Sequence, residues 1–321
     1  MRMTWGRIAP LAALGMALTA PLDAQDADQA ATPVASAARA VPANLPRTYT
    51  QVADWATLPP GTGWQDMMAV DIDANGDIYA LQRTPFAVLV LDAKGRFLRQ
   101  WTTGNLPGSH GLRIDRFGYV WITSRALHQV FKYTRDGKLL MTLGTRGVAG
   151  DNASRTALNG PADVAVAPNG DIFVADGESA NTRIVKFSKD GTFVKSWGTK
   201  GDGPGQLMTP HSITFDTQGR LLVGNRGNKR IEIFDRDGGY RGQIATGVTP
   251  YGLFVTRDGT LYVADGIKPV GSISVLDLRS GRMLAHVPGL TGSHALTVDR
   301  TGAVYVAEVS GKSLRKFVRA K

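Results

Sequence analysis

The sequence predicts an all-β fold, a six-bladed β-propeller closed by an N-terminal strand. Three observations predict it: a strand motif that recurs six times, a glycine at a fixed offset after each copy, and a spare strand ahead of the first copy. The recurring first strands run Met68–Asp73, His110–Asp115, Ala162–Ala167, His211–Asp216, Tyr251–Thr256 and His294–Asp299. Three residues after each comes a turn glycine: Gly76, Gly118, Gly170, Gly219, Gly259 and Gly302. Second strands follow through Ile78–Ala80, Val120–Ile122, Ile172–Val174, Leu221–Val223, Leu261–Val263 and Val304–Val306. Third strands include Val88–Val90, Gln129–Phe131, Ile184–Phe187, Ile231–Phe234 and Ile273–Leu276. Such short β-branched and aromatic runs between Gly, Asp and Asn turns are hairpin signals. The sixth repeat stops soon after its third strand, Leu314–Val318, one strand short. The spare strand at Tyr49–Trp55 completes it and protects two sheet edges, so residues 47–321 form one domain.

Ahead of that domain, Arg2 and Arg7 precede an apolar stretch from Ile8 to Ala20 that is short for a membrane span. Residues 1–24 are expected to be a signal peptide, cleaved near Ala24, and the Ala, Asp, Gln and Pro-rich residues 25–46 a flexible linker. No second apolar run approaches a membrane span, so the expected product is a monomer outside the cytoplasm, periplasmic or secreted. The chain has no cysteine, which excludes thiolate ligands, disulfides and a lipid-modified cysteine anchor. Its formal charge of +10 is spread through turns and outer strands. With no basic cluster interleaved with aromatics, nucleic acid is excluded as the expected partner; anionic small molecules, peptide carboxylates or the cell envelope suit the charge.

Equivalent positions on the six first strands form a ring around the central channel: Met68, His110, Ala162, His211, Tyr251 and His294. Three of the chain's five histidines fall here, on alternate blades about 120° apart by six-fold geometry. Three neutral imidazoles on rigid strands suit zinc, with a further coordination position left for water or substrate; nickel, copper or iron suit it too. The bland alternative is a polar, water-filled channel. Ten residues after each first strand, the blades carry Arg83, Arg125, Gly177, Arg226, Gly266 and Val309, so arginines could reach over the mouth to clamp a carboxylate. His128 is expected to pack or hydrogen-bond, His286 to be exposed, and Asp176 with Glu178 to be turn caps or an acid–base couple. There is no nucleophile elbow, phosphate loop or dinucleotide fingerprint.

The stretches Ser109–Asp115, Ala126–Lys132, Pro161–Val166, Arg183–Phe187, Pro204-Gly-Gln and Pro210–Ile213 resemble the NHL-repeat propellers, and more specifically the peptidyl-α-hydroxyglycine α-amidating lyases. The resemblance covers most of residues 67–320. It implies zinc on His110, His211 and His294, with Arg83 and Arg226 at the site. It implies cleavage of a peptidyl-α-hydroxyglycine to a peptide amide and glyoxylate without a redox cofactor, the metal acting as Lewis acid or hydroxide source and arginine holding the carboxylate. The family's tyrosine after the blade 3 Asp-Gly is missing: the chain reads Asp176-Gly-Glu178, with one extra residue before Arg183. Glu178 or Tyr251 could replace it as base. Ala295 stands where the family has an aspartate, which weakens the case for calcium, Gly292 replaces a methionine, and the family disulfides cannot form.

Two further readings compete with the lyase. One is a non-catalytic propeller that binds a peptide, protein or envelope ligand. The other is a lactonase-type hydrolase, disfavoured because the predicted ring has no carboxylate to hold its metal.

Overall fold

A computed structural model describes residues 41–42, 44–266 and 270–320. The expected signal peptide, residues 1–24, and most of the expected linker, residues 25–46, lie outside them. Among the described residues, six four-stranded antiparallel sheets are arranged as a propeller, each running outward from a first strand at the channel. The six first strands are Met67–Ile72, Ser109–Ile114, Pro161–Val166, Pro210–Phe215, Pro250–Val255 and Ser293–Val298, each within about a residue of the expected position. No described helix is long and apolar enough to cross a membrane.

The turn that makes the repeat audible in sequence has one geometry. All six equivalent glycines take positive φ, from 76° at Gly219 to 93° at Gly170. Each closes a turn by donating its N–H to the carbonyl three residues earlier, as Gly76 does to Asp73 at 3.0 Å. A side chain in that conformation is strained, so the position selects glycine. Where the turn opens on aspartate, its carboxylate caps it: Asp73 Oδ1 accepts from Asn75 and Asp77, and Asp115, Asp216 and Asp299 repeat the pattern.

Blade 6 closes as expected. Tyr49–Val52 pairs antiparallel with Ser313–Arg319, from Tyr49 opposite Arg319 to Val52 opposite Lys316. The strand is shorter than Tyr49–Trp55 because the chain turns at Asp54, which takes a φ of 47°. Trp55 still secures the closure: its indole N–H donates to the Leu314 carbonyl at 3.0 Å and its ring packs edge-on to Tyr305. Apolar packing is divided among six clusters, each drawn from two neighbouring blades; Trp121, Val130 and Leu158 of blade 2 meet Val164, Ile172 and Val185 of blade 3. Each first strand is therefore gripped by blades on both sides, a rigid mount for side chains aimed at the channel.

Candidate metal centre

The six ring residues converge on the channel axis, and they divide the work by blade parity. On blades 2, 4 and 6 the imidazoles of His110, His211 and His294 face one another, ring centroids 4.5–4.9 Å apart. On blades 3, 5 and 1 the intervening ring residues offer backbone carbonyls. His110 Nδ1 lies 2.9 Å from Ala162 O, His211 Nδ1 2.6 Å from Tyr251 O, and His294 Nδ1 2.7 Å from Met68 O. A carbonyl only accepts, so each Nδ1 carries the hydrogen and each Nε2 turns a lone pair inward. A partner of this kind fixes both tautomer and orientation in metal-ligating histidines.

The three histidines offer ligand atoms within 4.8 Å of one another. A tetrahedral zinc site with Zn–N of about 2.0–2.1 Å has edges of ~3.3 Å, so modest ring rotation closes the gap. Burial lowers the pKa of His110 below the usual histidine value despite the nearby Glu178. Burial, and then the neighbouring histidines, hold His211 well below that value, and burial with His110 does the same to His294. These are the neutral imidazoles that a divalent cation needs. His211 Nε2 is buried without a hydrogen-bond partner, which fits a metal-ligand role, since orphaned buried acceptors are costly.

Above the ring, at the exits of the second strands, lies a cavity of about 440 Å³ lined by Arg83, Arg125, Glu178, Arg226, Tyr251 and Val309 among others. Counting along the chain put Gly177 at the blade 3 position of this rim, but the backbone slips there by one residue. On blades 1, 2, 4 and 6 the residue after the second strand donates its N–H to the carbonyl just before the first strand: Arg83 to Asp66, Arg125 to Gly108, Arg226 to Thr209, Val309 to Gly292. On blade 3 that bond is made by Glu178, to Gly160 at 2.8 Å. The extra residue is Gly177, where a Cβ would lie 2.3 Å from Pro210 Cδ. A glycine is what lets the chain pass and delivers Glu178 to the rim.

Glu178 points over the histidines. Its carboxylate is 3.7 Å from His110 Nε2 through Oε2 and 3.6 Å from His211 Nε2 through Oε1. Arg226 Nη1 lies 2.8 Å from Oε1 and Arg125 Nη1 3.6 Å from Oε2. The Arg226 contact is an ion pair off the N–H axis, since Oε1 has no directed hydrogen bond. Arg83 donates to the Ser109 carbonyl at 3.3 Å and also meets the Met68 sulfur; burial, then Arg125, lowers its pKa. Tyr251 forms a wall, its ring 4.9 Å from that of His211 and 4.9 Å below the Arg226 guanidinium. At Gly266 a Cβ would lie 2.6 Å from the Tyr251 ring, so that glycine makes room for it.

Asp176 is no partner of Glu178. It faces into blade 3, where it accepts from Asn159 N–H, Asn181 and the fully buried Arg183. Arg183 also donates to the carbonyls of Asn152, Ser154 and Ala157, lashing the 152–157 loop beneath the Glu178 turn. His128 hydrogen-bonds as expected, its Nδ1 accepting from Gly160 N–H at 3.1 Å. His286 is half-buried rather than exposed, because its strand, Met283–Leu290, lies against Gly271–Asp277 and brings Nδ1 to 3.4 Å from Ser274 Oγ.

Sequence reasoning missed the layer beneath the ring. There Arg113 of blade 2 crosses to Asp163 of blade 3 in a bidentate pair, with contacts as short as 2.6 Å, and donates to Leu253 O of blade 5. Asp163 accepts further from Val164 and Ile213 N–H, and Asp71 from Ile72, Ile114 and Thr297. The signal was available: a charged pair on strands facing a narrow channel must be partnered there.

The NHL repeat family pattern matches residues 158–187, the first three strands of blade 3. The chain is 36% identical over 285 residues to NHL repeat-containing protein 3 of Homo sapiens, covering 80% of each chain. It is 28% identical to the probable peptidyl-alpha-hydroxyglycine alpha-amidating lyase pgal-1 of Caenorhabditis elegans, over 78% of this chain and 74% of that one. Among solved structures, a streptogramin B lyase superposes with a TM-score of 0.59 at 15% identity, covering 85% of this chain and 98% of that chain, a likeness of fold.

Proposed function

We propose, for a chain that belongs to the NHL-repeat family of β-propellers alongside NHL repeat-containing protein 3, an exported metal-dependent lyase of the peptidyl-α-hydroxyglycine α-amidating type. The observation that carries this reading is the inward-facing set of three Nε2 lone pairs, each tautomer fixed by a carbonyl of the next blade. His110, His211 and His294 would hold zinc or another divalent transition metal. Such an ion supplies Lewis acidity toward a substrate oxygen.

The chain's own residues account for the rest. Arg83, Arg125 and Arg226 surround the mouth and suit a small substrate or peptide end bearing a carboxylate. In the reaction the carbon–nitrogen bond of the hydroxyglycine breaks, the hydroxyl loses its proton as its carbon becomes the aldehyde of glyoxylate, and the departing amide nitrogen gains one. Electrons redistribute within the substrate, so no oxidant is required. Glu178 is placed to accept the first proton and return it to the nitrogen, replacing the family's tyrosine. Tyr251 keeps Arg226 in position through its ring face. The N-terminal segment, read as a signal peptide, supports a periplasmic or secreted enzyme.

A second reading, a non-catalytic propeller that binds a peptide, protein or envelope ligand, is favoured by one observation: the Glu178 side chain is only 6% exposed and lies across the histidines. The deciding experiment supplies a peptidyl-α-hydroxyglycine to the metal-loaded protein and measures glyoxylate and peptide amide together. The lyase reading expects equimolar products, lost with chelator and in Glu178→Gln and kept in Tyr251→Phe. Metal-loaded protein that releases neither product supports the binding reading.

A further inference from the structure

The position of Glu178 goes beyond a proton acceptor. Two of its surroundings do not fit a simple ion pair. Glu178 Oε1 and His211 Nε2 are both buried and both without a hydrogen-bond partner, and they lie 3.6 Å apart. With His211 Nδ1 committed as donor to Tyr251 O, the two facing atoms are both acceptors. The same opposition recurs at 3.7 Å between Glu178 Oε2 and His110 Nε2, whose Nδ1 is committed to Ala162 O. Acceptors turned toward each other in a buried site call for a cation between them. Arg226 and Arg125 pair with the carboxylate alone, Nη1 lying 2.8 Å from Oε1 and 3.6 Å from Oε2, and His211 Nε2 receives a hydrogen bond from neither. The separations are also close to the ~3.3 Å edge between neighbouring ligand atoms of a tetrahedral site.

We propose that Glu178 is itself a ligand of the centre in the substrate-free protein, making it a three-histidine, one-carboxylate site, and that an incoming carboxylate takes its place. This rests on the three-histidine reading of the ring. Arg125 and Arg226 would hold either carboxylate, first that of Glu178 and then that of the substrate, so one carboxylate replaces another on the centre and its arginines. It also frees Glu178 to act as base only when a carboxylate has arrived. The one-residue insertion at Gly177 is the sequence change that brings the carboxylate within reach.

The test uses cobalt(II) in the mature protein, whose visible absorption reports coordination without any substrate turnover. Wild type, Glu178→Gln and Glu178→Ala are compared for cobalt spectrum and affinity, then titrated with acetate. Expected are an altered spectrum and an affinity loss of roughly 10- to 100-fold or more in both variants. Acetate should restore a wild-type-like spectrum in Glu178→Ala at concentrations that leave wild type unchanged. Identical spectra and affinities in all three proteins would overturn the proposal while leaving the three-histidine site intact. A wild type that takes up no cobalt would contradict the three-histidine reading itself. Circular dichroism of the variants guards against a folding defect, and the acetate response reads the carboxylate position directly.

Discussion

Beneath the histidine ring, Arg113 and the carboxylates of Asp163 and Asp71 complete one another, and every charged oxygen has a donor. At the ring itself, one to three strand residues higher, three imidazole nitrogens and a carboxylate converge, and neither His211 Nε2 nor Glu178 Oε1 has a hydrogen-bond donor. Both layers are buried, both draw on several blades, and both sit on the same rigid strands. The difference lies in how the acceptors are satisfied. The lower layer carries its own cation as a guanidinium fixed to the chain, and the cavity between it and the ring is only about 20 Å³. In the upper layer the arginines reach the Glu178 carboxylate but not His211 Nε2, and the layer faces the 440 Å³ mouth, so under the proposed reading its cation comes from outside. The larger opening to the centre is therefore on the arginine-lined face.

The largest effect expected from breaking this contrast is in the lower layer. Arg113→Met strands the Asp163 carboxylate in a buried site and should cost about 3–5 kcal/mol of folding stability, while Arg113→Met with Asp163→Leu should recover part of that loss. Urea unfolding of the single and double variants measures both. In the upper layer the corresponding loss depends on metal. Zinc at a hundredfold excess over its Kd should stabilise wild type by about 2.7 kcal/mol, and His211→Ala should lose most of that gain; thermal melts with zinc and with chelator measure it. A His211→Ala protein stabilised as much as wild type would break the contrast.

Protonation separates the layers in direction. His211 and His294 are held below their ordinary value by burial first, so in metal-free protein the unfolded chain binds more protons than the folded one just below pH 6.5. Stability there rises with pH, levels off above the unfolded value, and falls as pH drops beneath it. His294→Gln in chelator should flatten that slope. Asp71 runs the other way. Burial raises its pKa against the pull of Arg113, so above the ordinary aspartate value of 3.8 the folded state binds more protons, and stability falls as pH climbs through the folded value. Asp71→Asn should remove this effect, read from stability curves in the acid range.

How far the sequence discloses each layer follows from what repeats. The blades, the closing strand and the six-membered ring are legible because six copies align, and one residue type on alternate copies stands out against them. The carbonyl partners of the histidines are not legible, since Ala162, Tyr251 and Met68 contribute backbone that any residue would carry. Glu178 was readable as a candidate, but its rim position depends on a one-residue slip in hydrogen bonding at Gly177, which alignment by counting assigns to the glycine. The Arg113–Asp163 pair joins residues at non-equivalent repeat positions, so the periodicity that exposes the ring conceals it. His286 was misread because outer-strand exposure depends on how far the neighbouring strand extends.

The central claim is that the upper layer takes its cation from outside. The most direct measurement is elemental analysis of the mature protein purified without a histidine tag, beside His110→Ala, His211→Ala and His294→Ala. The account predicts close to one equivalent of zinc or another transition metal in wild type and its loss in each variant. Wild type that is metal-free and takes up no added zinc would contradict it, leaving three neutral imidazoles that merely line a channel.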